Sequence, residues 1–204
     1  MHRPPRFIDR VYPSLTWRFF VDDNRIFLTF DDGPNPEITP FVLNLLQAYQ
    51  WKATFFCVGE NCMRYPELFQ RIIQEGHAIG NHTMKHEHAF RTEHNTYLNS
   101  IREFDELSPG TLFRPPYGKL TRKLIKTLTP DKQIIMWSWL TYDYHNNVSP
   151  ETIIAKASKL KAGDIVVLHD NAKLAQRQRI LLPKLFEKIH QLGFESDAIK
   201  TDLP

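Results

Sequence analysis

The chain has 204 residues, a formal net charge of +3 with histidine neutral, and a globular composition of 42% hydrophobic and 24% charged residues. This length suits one domain with a substantial core and is short for two. Lysine and arginine form no dense block in the sequence, which argues against a nucleic-acid-binding protein. No apolar run reaches the roughly 20 residues that a membrane-spanning helix needs, so no membrane span is predicted.

Residues 1–24 carry early positive charge but no uninterrupted apolar core of the signal-peptide kind. We therefore expect a cytoplasmic protein in which this segment is an N-terminal extension packed on a domain of residues 25–204. Within that domain, short apolar runs alternate with segments of helical periodicity. The predicted strands are 26–30, 53–58, 77–81, 112–114, 133–137 and 164–168. The predicted helices are 35–49, 66–76, 91–107, 121–128, 149–160 and 179–193.

This alternation predicts an α/β fold with a parallel sheet, either a small barrel or a doubly wound sheet. In both architectures the active-site residues collect at the carboxyl ends of the strands. Two helix starts are also predicted: Pro36 and Glu37 suit a first turn, and Thr92 suits an N-cap.

The first predicted strand ends in the sequence TFDDGP, which places Asp31 and Asp32 side by side. Asp-Gly-Pro is also ordinary turn chemistry. Two adjacent carboxylates repel each other, however, and one of them is driven toward protonation unless a cation lies close. The pair therefore indicates either a solvated turn or a metal site.

A cluster of histidines supplies candidate metal ligands, because five of the nine lie between His77 and His94. The sequence NHTMKH places His82 and His86 four residues apart, so on a helix or tight turn both imidazoles share one face. A surface pair is the alternative for an isolated HxxxH. With a strand-end carboxylate, the two imidazoles form a three-ligand set with open positions for water, which is typical of catalytic metal sites.

Two further strand ends carry polar side chains. Arg114, in LFRPPYG, either holds a carboxylate in place or forms a structural salt bridge. His169, in GDIVVLHD, follows a strand too apolar to be solvated, so it is either a proton donor or acceptor in a cavity or a core histidine. Asp143, after the fifth predicted strand, is a candidate partner that would orient this imidazole.

The blocks TFDDGP, HTMKH, RPPYG and VLHD, in this order and at these distances, resemble the NodB-type polysaccharide deacetylases, carbohydrate esterase family 4. The resemblance extends over residues 25–193. It implies a distorted (β/α)7-type barrel. It also implies a hydrolase that removes acetyl groups from N-acetylated sugars, such as a chitooligosaccharide or a peptidoglycan-like glycan.

The same resemblance implies a metal site formed by Asp32, His82 and His86. The ion is expected to be divalent, with Zn²⁺ foremost and Co²⁺, Ni²⁺ or Mn²⁺ as alternatives. Its expected role is to polarise a water molecule and the acetamide carbonyl together.

The catalytic roles that the resemblance implies fall on five residues. Asp31 is the general base, and Arg114 positions it. The oxyanion of the tetrahedral intermediate lies against the metal and the backbone N–H of Tyr117. His169, oriented by Asp143, protonates the departing amine.

The fourth block departs from the family pattern D-x-x-D-W. The matching positions read Leu140, Thr141, Tyr142, Asp143 and Tyr144, so the second Asp is kept and the first is not. Tyr144 replaces a Trp of the acyl pocket, and Val167 replaces a Leu. Together with Pro116, these two residues form the predicted substrate pocket, and the departures bear on substrate preference more than on activity.

The sequence also predicts where three further aromatic side chains lie. Trp139 and Tyr142 are expected near the site, where they could stack on sugar rings, whereas Trp137 is expected in the core.

Three other functions are compatible with the residues. The first is a carbohydrate-binding homologue without activity, although every proposed catalytic residue is present. The second is a non-haem iron enzyme, since two His and one carboxylate also form its ligand set. That hypothesis leaves Asp31 and His169 without a role. The third is an O-acetyl esterase, or an amidase acting on a substrate that is not a glycan.

Overall fold

The computed structural model describes residues 3–5 and 7–200. Nine strands lie in one sheet: β1 (Leu15–Thr16), β2 (Arg25–Asp31), β3 (Thr54–Cys57), β4 (Ala78–Asn81), β5 (Leu112–Phe113), β6 (Gln133–Ile135), β7 (Trp139–Leu140), β8 (Ile165–His169) and β9 (Glu195–Ser196). All six predicted strands are confirmed. The three that the sequence did not predict, β1, β7 and β9, are two residues long each.

Eight α-helices connect these strands within the described residues: α1 (Ile8–Val11), α2 (Thr39–Ala48), α3 (Gly59–Arg64), α4 (Pro66–Gln74), α5 (His94–Leu107), α6 (Arg122–Leu128), α7 (Pro150–Lys156) and α8 (Ala175–Gln191). The six predicted helices are all present, and the short helices α1 and α3 were not predicted. None of the helices in the described part of the chain combines the length and apolar character that crossing a bilayer requires.

Two predicted helix starts were wrong. Helix α2 begins at Thr39 rather than near Pro36, since a helix begun there would place Pro40 in its interior, where the missing N–H and the ring break the hydrogen-bond pattern. Helix α5 is capped by Glu93, whose side chain accepts a hydrogen bond from the Thr96 N–H. The backbone N–H of Thr92 instead donates to the carbonyl oxygen of His88, in the turn that precedes the helix.

The strands run parallel in the order β1-β6-β5-β4-β3-β2-β8-β7, with β9 pairing to the amino end of β2. The sheet curls into a half-barrel with the helices outside, as the barrel prediction requires. The pairs β2–β8 and β2–β3 place Asp31 opposite His169 and Phe56. Asn81 of β4 lies opposite Phe113 of β5. His82 and Arg114, one residue further along, therefore emerge at the same edge of the sheet.

Alternation along β2 and β8 sorts their side chains between the helix layer and the barrel interior. Leu28 and Phe30 are buried in the large core cluster beneath the helices. Phe27 and Ile165 belong to a smaller cluster inside the barrel. Burial of each such side chain contributes about 1.5–3 kcal/mol. Asp31 and His169 continue the interior set, each four residues and therefore two repeats of the alternation further, so the strand parity itself directs both toward the barrel axis.

The segment before β2, which includes β1, contacts the sheet near both of its edges. Leu15 and Thr16 pair with β6, and the Trp17 ring packs edge-on against Trp137. Two residues later the Phe19 N–H donates to the Gly163 carbonyl beside β8. Arg3 forms an ion pair of 3.0 Å with Asp164 on the same side. The segment thus passes from one edge of the open sheet to the other.

Candidate active site

A cavity of about 620 Å³ opens at the carboxyl ends of the strands. Eight of the predicted site residues line it: Asp31, Asp32, His82, His86, Tyr117, Tyr144, Val167 and His169. Arg114 and Asp143 lie behind the wall and are 1% and 0% exposed. Pro116 is buried and does not line the cavity, whereas Pro115 does. The sequence motifs therefore converge on one site, although they are up to 138 positions apart.

Asp32, His82 and His86 bring one donor atom each to within 4.8 Å of one another. The Asp32 Oδ1 atom lies 3.8 Å from Nε2 of His82 and 3.2 Å from Nε2 of His86. The two histidines lie on a loop after β4 rather than on a helix. Loop geometry nevertheless turns both imidazoles toward the same carboxylate oxygen.

Hydrogen bonds fix which ring nitrogen of each histidine faces the carboxylate. His82 Nδ1 lies 2.7 Å from the Arg114 carbonyl oxygen, which can only accept, so Nδ1 carries the proton and the Nε2 lone pair is directed at Asp32. His86 Nδ1 lies 3.2 Å from the Tyr117 hydroxyl. The His82 imidazole thus offers Nε2 as a free ligand atom, and the His86 imidazole presents its Nε2 to the same carboxylate oxygen.

Two asparagines hold Asp32 from the other side. The Asn171 Nδ2 donates to the carboxylate Oδ2 at 2.8 Å, which leaves Oδ1 directed at the histidines. The Asn61 Nδ2 donates to the Asp32 carbonyl at 2.8 Å. The sequence did not predict either contact. Asn171 is 139 positions away from its partner and carries no local motif.

Burial lowers the pKa of His82 to about 4, and it outweighs the nearby charges of Asp31 and Asp32. Burial raises the pKa of Asp32, but hydrogen bonding to His86 and the charges of three nearby histidines bring it well below its usual value. A neutral imidazole beside an ionised carboxylate is the donor state that a divalent cation requires. The residues present therefore fit a metal ion.

Backbone strain concentrates at this cavity. Five non-glycine residues at or beside it have φ between 57° and 81°: Asp32, Thr83, His86, Tyr117 and Tyr142. The left-handed region costs a non-glycine residue of order 1 kcal/mol or more, and such residues cluster at functional sites. Only one other such residue, Gln50, occurs in the described chain. The strain thus marks the same loops that carry the candidate ligands.

Asp31 is held from below by a buried arginine. The Arg114 Nη1 donates to the Asp31 Oδ1 at 2.8 Å and to the Thr29 hydroxyl at 2.6 Å. The rest of the guanidinium donates to the backbone carbonyls of Ile135 and Met136. The guanidinium is thus anchored to the Thr29 hydroxyl and to two backbone carbonyls, so it holds the Asp31 carboxylate in a single orientation.

His169 is paired with the buried Asp143. The imidazole Nδ1 lies 2.7 Å from the Asp143 Oδ1. The other carboxylate oxygen, Oδ2, accepts from the His169 backbone N–H and from the Gln178 Nε2. Burial lowers the pKa of His169, but the charge of Asp143 and its hydrogen bond raise it to about 9. At neutral pH this histidine is protonated.

The expected position of Trp139 was wrong, and that of Trp137, which packs partly buried against a core cluster, was right only in part. Trp139 is fully buried in the core, whereas Trp137 lines the cavity. The predicted strand 133–137 ends at Ile135 in the structure, so Trp137 lies in the turn that follows β6, whereas Trp139 begins β7. Tyr142 does line the cavity.

Leu140 also lines the cavity, at the position where the family pattern has its first Asp. This wall is therefore apolar. Tyr144 stands edge-on against the His169 ring, with centroids 5.0 Å apart. Burial raises the pKa of Tyr144 to about 12, so its hydroxyl is neutral.

Asp170 was not predicted, yet it is fully buried directly after His169. It accepts hydrogen bonds from the Gly33 N–H at 3.0 Å and from the Thr39 hydroxyl at 2.5 Å. Burial raises the pKa of Asp170 to about 7. A Cβ at Gly33 would lie 2.2 Å from this carboxylate, which explains why the turn after the paired aspartates needs glycine. Asp170 thus fastens that turn to the end of β8.

Comparison with known proteins gives concordant results. The polysaccharide deacetylase family model matches residues 21–130. A peptidoglycan N-acetylglucosamine deacetylase of Bacillus cereus is 36% identical over 189 residues, which are 88% of each chain. A chitooligosaccharide deacetylase of a Bradyrhizobium species is 35% identical over 153 residues, 71% of this chain and 70% of the relative. The crystal structure of a peptidoglycan N-acetylglucosamine deacetylase, 29% identical, superposes with a TM-score of 0.84 over 96% of this chain and 95% of that one.

Proposed function

The chain belongs to the polysaccharide deacetylase family, carbohydrate esterase family 4, and on that premise we propose that it removes the acetyl group from N-acetylglucosamine residues of a glycan. The named homologues are hydrolases that act on N-acetyl amide bonds, and the family depends in general on a metal ion. The relatives named above act on peptidoglycan and on chitooligosaccharides. Both polymers contain N-acetylglucosamine, so this sugar is the proposed substrate unit.

One observation carries the proposal: two proton-handling side chains lie side by side at the carboxyl ends of the neighbouring strands β2 and β8, beside three candidate ligands. Asp31 and His169 are register partners on these strands. Asp31 has an arginine partner and His169 a carboxylate partner. A base and an acid held in one cavity are what hydrolysis of an unactivated amide requires.

Asp32, His82 and His86 would hold the metal ion, with zinc as the proposed ion because a carboxylate and two imidazoles with open positions suit it. When bound, such an ion supplies Lewis acidity, which polarises a carbonyl oxygen and lowers the pKa of water. The iron alternative for this ligand set loses its support, since the family is one of deacetylases.

In the proposed reaction Asp31 takes one proton from a water molecule whose oxygen bonds to the acetamide carbon. The backbone N–H of Tyr117 donates to the oxyanion that develops on the carbonyl oxygen. His169, already protonated, gives its proton to the sugar nitrogen as the C–N bond breaks. Acetic acid and the free amine leave, and one proton passes from Asp31 back to His169, so both groups regain their starting state.

Acetyl release should be measured on N-acetylglucosamine oligomers, peptidoglycan fragments and an O-acetylated xylan, with metal-stripped protein and again after adding zinc or cobalt. We expect metal-dependent release of acetate from the N-acetylated members. A matched Asp31→Asn variant should keep the metal and lose about 10²–10⁴ in kcat.

Release from the xylan alone would instead assign an O-acetyl esterase. Lack of release from every substrate, with one metal bound per chain, would contradict the proposal and favour a carbohydrate-binding homologue. Full activity of the Asp31→Asn variant would contradict only the proposed role of Asp31 as general base.

A further inference from the structure

A second cavity lies at the opposite end of the barrel from the candidate metal ligands, between the loops that lead into β3 and β4. This amino-end cavity has a volume of about 430 Å³ and shares no lining residue with the first cavity. Lys52 and His77 in its wall precede β3 and β4, whereas the candidate ligand His82 follows β4. Small-molecule sites in proteins have volumes of roughly 300–1,000 Å³. The amino-end cavity is therefore a separate space large enough for a small ligand.

One residue of its wall is buried and has an N–H group without a partner. His77 is 7% exposed, and its Nδ1 accepts a hydrogen bond of 3.2 Å from the Ala53 N–H. Nε2 therefore carries the hydrogen of the neutral imidazole. Among the described residues this Nε2 has no hydrogen-bond acceptor, since the Glu75 Oε2 lies 3.9 Å away. A buried donor without a partner costs free energy, so a ligand atom that accepts here gains what the protein alone does not supply.

Glu75 limits what this ligand group can be. The Arg71 Nε donates to the Glu75 Oε1 at 2.6 Å, which leaves Oε2 as the acceptor on the side of His77. A hydroxyl group between the two would accept from the His77 N–H and donate to the Glu75 carboxylate. The hydrogen on Nε2 prevents it from ligating a metal ion, and the carboxylate repels an anion. The nearby Lys52 ammonium already donates to the Glu75 carbonyl oxygen.

The rest of the wall suits a ligand with several hydroxyl groups. Gln47, Gln50 and Gln74 line the cavity, and each amide both donates and accepts hydrogen bonds. Trp51 supplies an apolar surface and is held by the Tyr49 ring, with centroids 4.8 Å apart. Amide groups beside an aromatic side chain match a molecule whose C–H and hydroxyl groups alternate along its surface.

We propose that the amino-end cavity binds a sugar unit or another polyol, whose hydroxyl groups are held by His77, Glu75 and Gln74. This second site is independent of the proposed function, because neither the binding nor its test involves release of acetate. Its position at the amino ends of β3 and β4 leaves the first cavity free for the reaction.

The test records ¹H–¹⁵N spectra of the histidine imidazoles in the whole chain while glucose, sorbitol or inorganic phosphate is added. We expect glucose to shift the His77 Nε2 signal saturably, and Gln74→Ala to weaken this binding about fivefold through the loss of one hydrogen bond. Gln74→Trp fills the cavity and should abolish the shift. Gln70→Ala is the matched control, because Gln70 is exposed one turn earlier on the same helix, does not line the cavity and should leave the affinity unchanged.

The two hydroxyl-bearing probes distinguish the possible ligands. A shift with glucose alone would assign a cyclic sugar, and a shift with sorbitol alone an open-chain polyol; either result, or a shift with both, supports the site. A His77 signal that neither probe moves would overturn it, as would a response to phosphate alone. Equal weakening in Gln74→Ala and Gln70→Ala, or a His77 imidazole that carries its hydrogen on Nδ1, would also contradict it.

Discussion

His82 and His169 occupy corresponding places in the barrel, each at the carboxyl end of a parallel strand, yet their pKa values move in opposite directions. Burial lowers the pKa of His82 to about 4. Burial acts the same way on His169, but the adjacent Asp143 outweighs it and raises the pKa to about 9. The partner of each Nδ1 accounts for the difference: a neutral carbonyl for His82 and a carboxylate for His169.

The element that carries a histidine therefore does not set its chemistry. A neutral imidazole with a free lone pair can ligate a metal but is a poor acid near neutral pH. A protonated imidazole has no lone pair to offer and can donate a proton. Two residues of the same type on one sheet edge are thus divided between ligand and acid by one acceptor atom each.

Removing the neutral histidine should have the largest effect. In His82→Ala we expect loss of bound metal and a fall in activity of roughly 10³-fold or more, because the Lewis acid supplies several kcal/mol and each 1.4 kcal/mol is a factor of ten. Metal content by elemental analysis and acetate release measure the two effects.

His77→Ala is the control, since burial lowers the pKa of His77 to about 4 as well and its Nδ1 accepts from the buried Ala53 N–H at the opposite end of β4. Metal bound in the His82→Ala protein, or equal loss of metal in the His77→Ala control, would contradict the role of His82 as a metal ligand.

Removing the protonated histidine should reduce catalysis without removing metal. In His169→Ala we expect cleavage of the amide to slow by about 10²–10⁴, and cleavage of an activated acetate ester to slow much less, because its leaving group needs no proton. Rates on an N-acetylated sugar and on an aryl acetate test this, with metal content measured in the same samples. Equal losses on both substrates would contradict an acid role for His169.

Replacing Asp143, the partner that distinguishes the two histidines, should lower the pKa of His169 toward that of His82. Since the folded pKa of His169, about 9, lies above the ordinary value of 6.5, its protonated form is retained up to that pH and lost above it. Asp143→Asn removes the charge, so the alkaline limb of the kcat/KM profile should move to lower pH. The stability that the pair contributes below pH 6.5 and loses through about pH 9 should disappear as well. An alkaline limb that stays in place would assign it to another group.

The smallest effect is expected where only the orientation of a ligand is disturbed. Asn171→Ala removes the donor to the Asp32 Oδ2 and should weaken zinc affinity about tenfold, within the 10–100-fold range of such outer contacts. Competition with a chelator of known affinity measures it. Asn171→Asp places a second carboxylate there and should disturb the metal site further. Unchanged zinc affinity in both variants would show that Asn171 does not position Asp32.

The fold was predictable where the sequence carries long apolar periodicity. Strands β2, β3 and β8 are continuous apolar runs, and α4 and α8 have helical spacing. Strands β1, β7 and β9 could not be found in this way, because two residues carry no period. They form only because a neighbouring strand offers its free hydrogen-bonding edge.

The site was predictable where chemistry requires a residue directly after a strand, as for Asp31, Asp32 and His169. The sequence also placed His82, His86 and Arg114 at strand ends, and the structure brings all of them together. The contacts that support these site residues were missed because no local sequence pattern marks the residues that make them. Gln178 is buried and contacts Asp143 from within helix α8, and nothing in its local sequence distinguishes it from the solvent-facing polar residues of that helix. Such contacts depend on distant parts of the chain meeting, so they require the folded structure.

The open sheet ends on one side in β1 and on the other in β7, and each of these outer strands is two residues long. A long outer strand would present a row of unpaired N–H and C=O groups, on which another chain could add a strand and start aggregation. Two residues offer too short a row for stable addition. The shortness of β1 and β7 therefore guards an incompletely closed barrel against strand addition at its edges, a use that is independent of catalysis.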